Sequence, residues 1–441
     1  MSRETNLTRD LEPIQHAAIE SRKFDPRKID PLNKGLGFAD QAFDAIQAAA
    51  LGWNLLHEDL SLPAAVLYKD KLEHNLRWMQ EFVRAYGVKL APHGKTTMAP
   101  RLFEMQLAHG AWGITLATAH QTLVAYRHGV RRVLMANQLV GRRNMAIVSE
   151  LVADPGFSFY CLVDSADHVN LLSEFFKDRG QRLNVLVELG VMGGRAGVRN
   201  EEQLEEVLAA IDRSDGWVVL SGVEVYEGVL KEEEQVRALL KRAVKTTRRL
   251  VAERRDARSP FLLTGAGSTW YDIVAEEFSA AGFGREVEIV LRPGCYLVHD
   301  AGHYREAQAR ILQSNSVARE MGSDLECALH IWSYIQSVPE PGRAIVGLGR
   351  RDAAFDSGLP IPALYFRPGR DAKPVPAPAA WRLSRIMDHH AFLEVGPEAG
   401  VRPGDMIGFN ICHPCLTFDK WRTIPVVDSE YRVVEVVQTF F

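Results

Sequence analysis

The sequence predicts an α/β protein made of a (β/α)8 barrel followed by a mostly β domain. Eight short apolar runs, rich in β-branched residues, occur between residues 61 and 305, and helical patterns separate them. Beyond residue 305, Pro and Gly become frequent and turns separate the strand-like runs. A doubly wound open sheet is the alternative, but the count of eight favours a closed barrel.

The elements follow one another along the chain in a regular order. The barrel strand candidates are LAP (90–92), GITLAT (113–118), RVLMAN (132–137), FSFYCLV (157–163), NVLVEL (184–189), VVLSGVEVY (218–226), PFLLTGA (260–266) and EIVLRPG (288–294). RLFEMQLAHG (101–110) and EEQLEEVLAAIDR (201–213) are examples of the helices between them. The later strand candidates are HAFLEV (390–395), DMIGFN (405–410), TIPVVD (423–428) and YRVVEVV (431–437).

Three domains are predicted from these patterns. Residues 1–60 form a polar, partly helical N-terminal extension, residues 61–305 form the barrel, and residues 306–441 form the β domain. The Pro-rich segment DAKPVPAPAA (371–380) is expected to be an exposed loop.

Composition excludes several classes of protein. Of 441 residues, 46% are apolar and 24% are charged, which is typical of a globular protein. The net charge of −4 argues against a nucleic-acid binder, because phosphate affinity needs a concentrated positive field. Five scattered Cys suggest a reduced compartment. With no long apolar run and no apolar core in MSRETNLTRD, we expect a cytoplasmic protein without a membrane segment.

The first segment that could carry chemistry is KLAPHGKTTMAP (89–100). Lys95 follows the first barrel strand, and catalytic residues of such barrels lie at the carboxyl ends of strands. A partly desolvated Lys there can act as an amine nucleophile or as a base. The alternative is a surface Lys in a turn. GKT is not a phosphate loop of the P-loop type, because position 89 is Lys where that motif needs Gly.

The second segment is LLTGAGSTWYD (262–272), which follows the seventh strand. Its small residues would let the backbone approach an anion, and Ser268 and Thr269 add hydroxyl donors. Barrel enzymes often bind phosphate in the loops after strands seven and eight. The alternative is an ordinary strand–turn–helix junction with Ser as the N-cap.

Arg195 and Tyr226 end the fifth and sixth strand candidates. In ELGVMGGRAGV (188–198), glycines bracket Arg195, whose cation could meet a cofactor or a substrate carboxylate. Alternatively, Arg195 makes a surface ion pair. Tyr226 could hydrogen-bond a ligand in the barrel mouth, or be a core Tyr with a satisfied hydroxyl.

His413 and Cys415 lie two residues apart in FNICHPCLTFDKW (409–421). On an extended chain they would point the same way, and imidazole plus thiolate is a donor pair that suits zinc. Two protein ligands leave open positions, as a catalytic metal requires. The alternative is a buried Cys beside a capping His.

Together these motifs resemble the fold-type III pyridoxal phosphate enzymes, which share the alanine racemase barrel. The chain is most similar to the D-serine dehydratase, D-threonine aldolase and bacterial D-amino-acid deaminase group, from about residue 62 to the end. PHGKT matches the group's P-H-x-K-T and places the Schiff-base lysine at Lys95. TGAGST matches its phosphate-binding loop, which includes Gly267, Ser268 and Thr269. VLRPGCYLVHD (290–300) and GRRD…DSGL (349–359) are also similar to the group.

The resemblance also implies a metal site and an activity. HPCLTFDKW (413–421) is similar to the segment through which D-serine dehydratases bind zinc with a His and a Cys, whereas aldolases of the group usually have His-x-Asp. The implied protein is a homodimeric lyase that uses pyridoxal phosphate and a divalent metal such as Zn²⁺. Arg195 and Tyr226 are implied to line the cofactor ring.

The expected reaction is dehydration of a D-3-hydroxy amino acid, such as D-serine or D-threonine, to a 2-oxo acid and ammonia. Lys95 is the expected base for the Cα proton, and the metal would assist departure of the hydroxyl group. The alternative is a metal-dependent D-3-hydroxy amino acid aldolase. A racemase has no use for the metal pair, and a non-catalytic carrier of the cofactor needs neither the metal pair nor the β domain.

Overall fold

The predicted barrel is confirmed in a computed structural model, which describes residues 28–253 and 260–441. Its eight parallel strands are Lys89–Leu90, Ile114–Leu116, Arg132–Gln138, Ser158–Val163, Leu183–Leu189, Val218–Val225, Phe261–Gly265 and Val287–Leu291. Each matches one of the eight sequence candidates to within a few residues.

Hydrogen bonds between the first and second strands close the sheet. The ladder runs from the first strand through the eighth, seventh and so on to the second. The Trp112 N–H then donates to Leu90 O (2.6 Å), and the Thr115 N–H donates to Pro92 O (2.9 Å). Because both ends of the ladder meet, no strand edge is left open.

Helices cover the outside of the barrel. They are Lys69–Ala85, Pro100–Ala108, Ala119–Arg127, Arg142–Val152, Ala166–Lys177, Glu201–Arg213, Glu233–Glu253, Tyr271–Ala280, His303–Ser314 and the short Ser316–Glu320. Caps define several helix starts; the Asn200 side chain, for example, accepts a hydrogen bond from the Gln203 N–H (2.9 Å). Among the helices that the described ranges form, none is both long and apolar enough to cross a membrane.

Small and branched apolar side chains fill the barrel interior. A separate cluster there consists of Ala91, Leu134, Ala136, Leu162, Leu186, Leu262 and Val290. Strands buried on both faces need apolar residues at successive positions, which is why the sequence shows continuous apolar runs rather than alternation. The packed interior leaves the carboxyl ends of the strands as the place for a site.

The C-terminal domain is an antiparallel sheet, as predicted. Its strands after the barrel are Leu329–Glu340, Arg343–Val346, Ile361–Phe366, Val375–Pro376, Arg382–Ile386, Ala391–Glu394, Met406–Asn410, Thr423–Val427 and Val433–Gln438. The four strand candidates proposed from the sequence between 390 and 437 are all present. The short helix Pro414–Phe418 connects two of these strands.

One strand that precedes the barrel also belongs to this sheet. Ala64–Tyr68 pairs antiparallel with Leu329–Trp332 and parallel with Val426–Val427. All five of its residues are buried. The chain therefore enters the antiparallel sheet before it enters the barrel, while the domain boundaries at residues 60 and 305 stay predictions.

The described part of the N-terminal extension packs on the same domain. It contains two 3-10 helices, Ala45–Leu51 and Leu55–His57, and its residues before 28 lie outside the described part of the chain. Apolar side chains of the extension share a core with Trp332. Lys34 Nζ lies 2.9 Å from Asp352 Oδ1, so this segment also contacts the loop after Arg343–Val346.

Candidate active site

Lys95 lies where the first barrel strand ends. It is the central residue of the 3-10 turn Gly94–Thr96, and its side chain is exposed. The turn is held from below because Gly94 packs closely: a Cβ there would lie 2.7 Å from the Phe103 ring and 2.8 Å from Ile114. Lys95 is thus an accessible amine on a rigid support, as the sequence predicts for a catalytic Lys.

The neighbouring His93 is a neutral group. Burial lowers its pKa well below the usual range, and the positive charges of Lys95, Arg292 and Arg195 add to the effect. Its Nδ1 atom is buried without a hydrogen-bond partner in the described chain. An uncharged imidazole beside Lys95 can accept or donate a hydrogen bond without adding a second positive charge there.

The predicted phosphate loop forms a small cup with the loop after the eighth strand. Ser268 Oγ accepts hydrogen bonds from the backbone N–H groups of Gly294 (3.3 Å) and Cys295 (3.1 Å). Gly294 allows this close approach, since a Cβ there would lie 2.7 Å from His93 O. Thr269 Oγ1 lies 3.2 Å from His303 Nε2. The Ser268 and Thr269 hydroxyl groups of this loop are donors that a phosphate group could use.

The backbone N–H of Gly267 is not one of the donors of this cup. Its N–H donates to Glu227 Oε1 (2.6 Å), and the Ala266 N–H donates to Glu227 Oε2 (3.1 Å). Ala266 adopts a positive φ of 77°, which turns both amides toward that carboxylate. The fully buried Glu227 thereby fixes the loop from the inside, and its importance was not recognised from the sequence.

Arg195 and Tyr226 are brought together. The guanidinium carbon of Arg195 lies 4.7 Å from the centre of the Tyr226 ring, and Nη2 lies 3.8 Å from Glu188 Oε1. The side chain of Arg195 is half exposed, whereas that of Glu188 is buried. Arg195 therefore makes an ion pair and still lies beside the aromatic ring at the barrel mouth, so both interpretations of the sequence describe part of its surroundings.

Buried charges lie below this mouth, and the sequence analysis did not identify them. Arg292 makes an ion pair with Glu224, and its Nε donates to Thr264 Oγ1 (3.0 Å). Burial raises the pKa of Glu224, and Arg292 opposes that rise. Glu224 Oε2 is buried with no hydrogen-bond partner in the described chain. A ligand carrying a donor, such as a protonated ring nitrogen, could satisfy this acceptor, which fits a pyridine-type cofactor.

The His413–Cys415 pair faces the Lys95 turn across the domain boundary. Cys415 Sγ and Thr96 Oγ1 are hydrogen-bonded at 3.5 Å, and Thr96 directly follows Lys95. The backbone differs from the extended segment expected, because Cys415 lies in the helix Pro414–Phe418. The two side chains nevertheless lie close enough to shift each other's pKa. Cys412 points elsewhere, with its thiol donating to Leu359 O (3.2 Å).

Hydrogen bonds polarise this pair. The neighbouring Cys295 is the largest cause that holds the pKa of Cys415 well below its usual value, and His413 and Thr96 act in the same direction. Hydrogen bonds to Cys415 and Asp356 raise the pKa of His413 to about 9. A thiolate is the form in which Cys binds metals.

Asp356 orients the imidazole of His413. Its Oδ2 lies 2.7 Å from His413 Nδ1, so the second ring nitrogen is the one available on the side of Cys415. Such carboxylate–histidine pairs commonly support metal ligands. Within residues 28–253 and 260–441, no three His, Cys, Asp or Glu side chains are preassembled around one cation position. The donor set itself still fits a thiophilic divalent metal.

Comparisons with known proteins agree with both halves of this architecture. Residues 67–278 match the family model described as "Alanine racemase, N-terminal domain", and residues 328–427 match "Putative serine dehydratase domain". A D-threonine aldolase of Arthrobacter sp is 27% identical over 345 residues, which cover 76% of this chain and 81% of that protein.

Two further matches include a solved structure. A D-threo-3-hydroxyaspartate dehydratase of Delftia sp. (strain HT23) is 30% identical over 182 residues, 41% of this chain and 47% of that protein. The crystal structure of a D-threonine aldolase from Filomicrobium marinum aligns with a TM-score of 0.71 at 25% identity, covering 88% of this chain and 97% of that chain. The similarity thus includes both an aldolase and a dehydratase.

Proposed function

We propose that this chain is a fold-type III pyridoxal phosphate enzyme, a lyase that dehydrates a D-3-hydroxy amino acid; the two family models and the similar proteins support this. The products would be a 2-oxo acid and ammonia. By their names, the Arthrobacter and Delftia relatives act on D-amino acids that carry a 3-hydroxyl group, which supports this substrate class.

One observation carries the proposal. Thr96 follows Lys95 in the chain and hydrogen-bonds Cys415 of the other domain. The segment whose amine would hold the cofactor and the thiol that would help to hold a metal are therefore neighbours, between the barrel and the β domain. Neither a simple carrier of the cofactor nor a racemase requires this combination.

Some residues of the site would bind the cofactor, and Lys95 would also transfer a proton. Ser268 and Thr269 would bind the cofactor phosphate, and the amides of Gly294 and Cys295 hold the Ser268 hydroxyl. Bound pyridoxal phosphate supplies an electron sink for the bonds at Cα. Lys95 Nζ would hold the cofactor and take the Cα proton.

His413 and Cys415 are the residues that would hold a divalent metal, and Zn²⁺ suits this nitrogen and sulfur set. A cation there supplies Lewis acidity toward the 3-hydroxyl group of a substrate, which is a poor leaving group as hydroxide. Asp356 keeps the His413 ring oriented through its 2.7 Å contact. Tyr226 and Arg195 are proposed to line the cofactor ring.

Aldol cleavage of the same substrates is the second candidate. It is favoured by the similarity to D-threonine aldolases over most of the chain. It would use the same Lys95 and the same metal residues, but the substrate would break between Cα and Cβ to give glycine and an aldehyde. Cys415 favours dehydration, because the resembling aldolases usually have an Asp at that position.

The test is a product assay on purified protein supplied with pyridoxal phosphate and zinc. Matched D- and L-isomers of serine, threonine and 3-hydroxyaspartate would be incubated with and without a chelator. We expect ammonia and 2-oxo acid from the D-isomers only, and loss of product with the chelator. Glycine plus an aldehyde would replace the dehydratase by the aldolase, and no product from any isomer would overturn both.

Two variants separate the roles of the cofactor and the metal. Lys95→Ala should abolish the borohydride-stable attachment of the cofactor to the chain, because no other residue is assigned that role. Cys415→Ala should lose zinc and dehydration while it keeps the attached cofactor. We also propose that the protein is a homodimer and that it is cytoplasmic. Sedimentation of the loaded enzyme tests the homodimer.

A further inference from the structure

A lysine of the N-terminal extension reaches the loop that supports His413. Lys34 Nζ donates to Asp352 Oδ1 (2.9 Å) and to Arg351 O (2.7 Å). It also lies 3.9 Å from the centre of the Trp421 ring. A surface lysine usually keeps its ammonium group in water. Three contacts with protein groups therefore indicate that this ammonium group has a fixed position, and the function proposed above gives it no part.

The carboxylate that Lys34 contacts closes the loop of residues 349–356. Asp352 is buried, with 4% of its side chain exposed, and its Oδ2 accepts a hydrogen bond from the Gly349 N–H (2.9 Å). The Asp352 N–H donates in turn to Gly349 O (2.9 Å). A buried carboxylate requires a counter-charge, because little water reaches it. Lys34 supplies that charge, so its removal should loosen the loop.

The same loop holds His413 in two ways. The Ala354 N–H donates to Thr417 Oγ1 (3.2 Å), and the Thr417 hydroxyl donates to His413 O (2.9 Å). Asp356, at the end of the loop, lies 2.7 Å from His413 Nδ1. The backbone and the ring of His413 are therefore both held from the loop that Lys34 contacts.

Trp421 connects the extension to the segment that follows His413. The Trp421 Nε1–H donates to Asp352 O (2.8 Å), while the face of the ring lies against the Lys34 ammonium group. The backbone next to Lys34 packs directly on this ring, since a Cβ on Gly35 would lie 2.9 Å from it. This close packing limits the positions that Lys34 can adopt, so its contact with Asp352 needs little further ordering of the chain.

We propose that Lys34 is a positioning residue of the active site. It holds the loop 349–356 and, through Asp356, keeps the His413 ring in the orientation that binds a metal. A ring that is already oriented loses less freedom when it binds a cation. The N-terminal extension would then be a working part of the site. This inference rests on the proposed function only in that His413 helps to hold a divalent metal.

Hydrogen exchange of the full-length enzyme, supplied with pyridoxal phosphate, tests the loop directly. Lys34→Met should speed exchange of the amides in residues 349–356 by at least ~10-fold, because the lost hydrogen bonds are charge-assisted. The turn Gly94–Thr96 should exchange at an unchanged rate. Lys34→Arg keeps the charge and can lie on the Trp421 ring, so it should restore most of the protection. Lys28→Met, which changes an exposed Lys of the same extension, is the matched control.

Zinc affinity, measured by competition with a chelator, tests the consequence for the site. Lys34→Met should bind zinc about 10-fold more weakly, as is typical of residues that support a metal ligand. Its affinity for pyridoxal phosphate should be unchanged, because the barrel residues that would bind the cofactor are untouched. Asp352→Asn should weaken zinc binding to a similar extent. Adding Lys34→Met to Asp352→Asn should change little more, since Lys34 acts through Asp352.

The outcomes separate this inference from the proposed function. Exchange and zinc affinity in Lys34→Met that equal those of Lys28→Met would overturn the positioning role and leave the lyase proposal intact. Loss of cofactor affinity together with zinc affinity would also overturn it, because such a change indicates general destabilisation. Failure of the unmutated enzyme to bind zinc would overturn the metal part of both proposals.

Discussion

Replacing Arg310 by Met should destabilise the cofactor end of the barrel. Arg310 holds Asp272 through two hydrogen bonds of 2.8 Å, donates to Thr269 O (2.9 Å), and lies over the Trp270 ring at 4.4 Å. Asp272 is fully buried, at the start of helix Tyr271–Ala280. The substitution keeps the apolar length of the side chain and leaves Asp272 without its counter-charge.

The expected loss follows from the burial of the two partners. Removing one member of a buried ion pair costs about 3–5 kcal/mol. Because the Arg310 side chain is 28% exposed, we expect the lower end, about 3 kcal/mol in the free energy of unfolding. Burial raises the pKa of Asp272, and Arg310 opposes this, so the variant has a still higher Asp272 pKa.

The pH dependence has a definite sign. A carboxyl group whose pKa is raised in the folded state favours folding when protonated, and this contribution is lost as the pH rises through the raised value. The deficit of Arg310→Met should therefore be full at pH 7.5 and smaller at pH 5. Adding Asp272→Asn to Arg310→Met should recover part of the stability at pH 7.5, because the buried charge is gone.

Urea unfolding followed by tryptophan fluorescence at both pH values measures these changes. Arg319→Met, which removes an exposed Arg from the neighbouring helix Ser316–Glu320, is the control and should change stability by less than ~0.5 kcal/mol. A deficit below about 1 kcal/mol, or one that is the same at pH 5 and pH 7.5, would refute the reasoning.

Three further changes test other contacts. Ser268→Ala removes a hydroxyl from the phosphate cup and should weaken cofactor binding by about 10- to 100-fold in an equilibrium titration, since a hydrogen bond to a charged group contributes ~1.5–3 kcal/mol; unchanged affinity would contradict the assignment. Asp356→Ala should weaken zinc binding by about 10-fold in a chelator competition, whereas Asp388→Ala, an exposed carboxylate of the same domain, should not. Trp332→Ala empties a fully buried site and should cost about 3–5 kcal/mol in unfolding; a loss under 1 kcal/mol would show that the core of the second domain relaxes around the cavity.

The barrel was predictable because its strands are buried on both faces. Runs such as Leu183–Leu189 must then be apolar at nearly every position, and they stand out from the amphipathic helices between them. Lys95 was proposed because catalytic groups of such barrels follow the strands, and because PHGKT resembles a known motif. His413 and Cys415 were proposed as a pair from their spacing and donor chemistry, and then by the same kind of similarity.

The residues that support the site could not be predicted, because sequence distance carries no information about their contacts. Thr96 meets Cys415 across 319 residues of chain, and Asp356 meets His413 across 57. Cys295 and Glu227 carry no motif of their own. An acidic residue inside an apolar strand, as Glu224 is, was the available indication of a buried charge.

The sequence also could not predict that Ala64–Tyr68 belongs to the sheet of the second domain. Its apolar letters predict a buried strand but do not say which sheet it joins, since β pairing depends on partners elsewhere in the chain. Its position just before the first barrel strand favours the barrel, whereas its hydrogen bonds go to Leu329–Trp332.

The ribosome synthesises this early strand long before the strand with which it pairs. Tyr68 leaves the exit tunnel long before Trp332, the residue 264 positions later that donates its indole N–H to the Tyr68 hydroxyl. The whole barrel can form in that interval, while an apolar segment waits unpaired at its edge. A gene fragment that encodes only residues 306–441 would lack an internal strand of its sheet. Cloning the C-terminal domain by itself should therefore yield aggregates, and appending residues 28–68 through a flexible linker should restore a soluble, folded product.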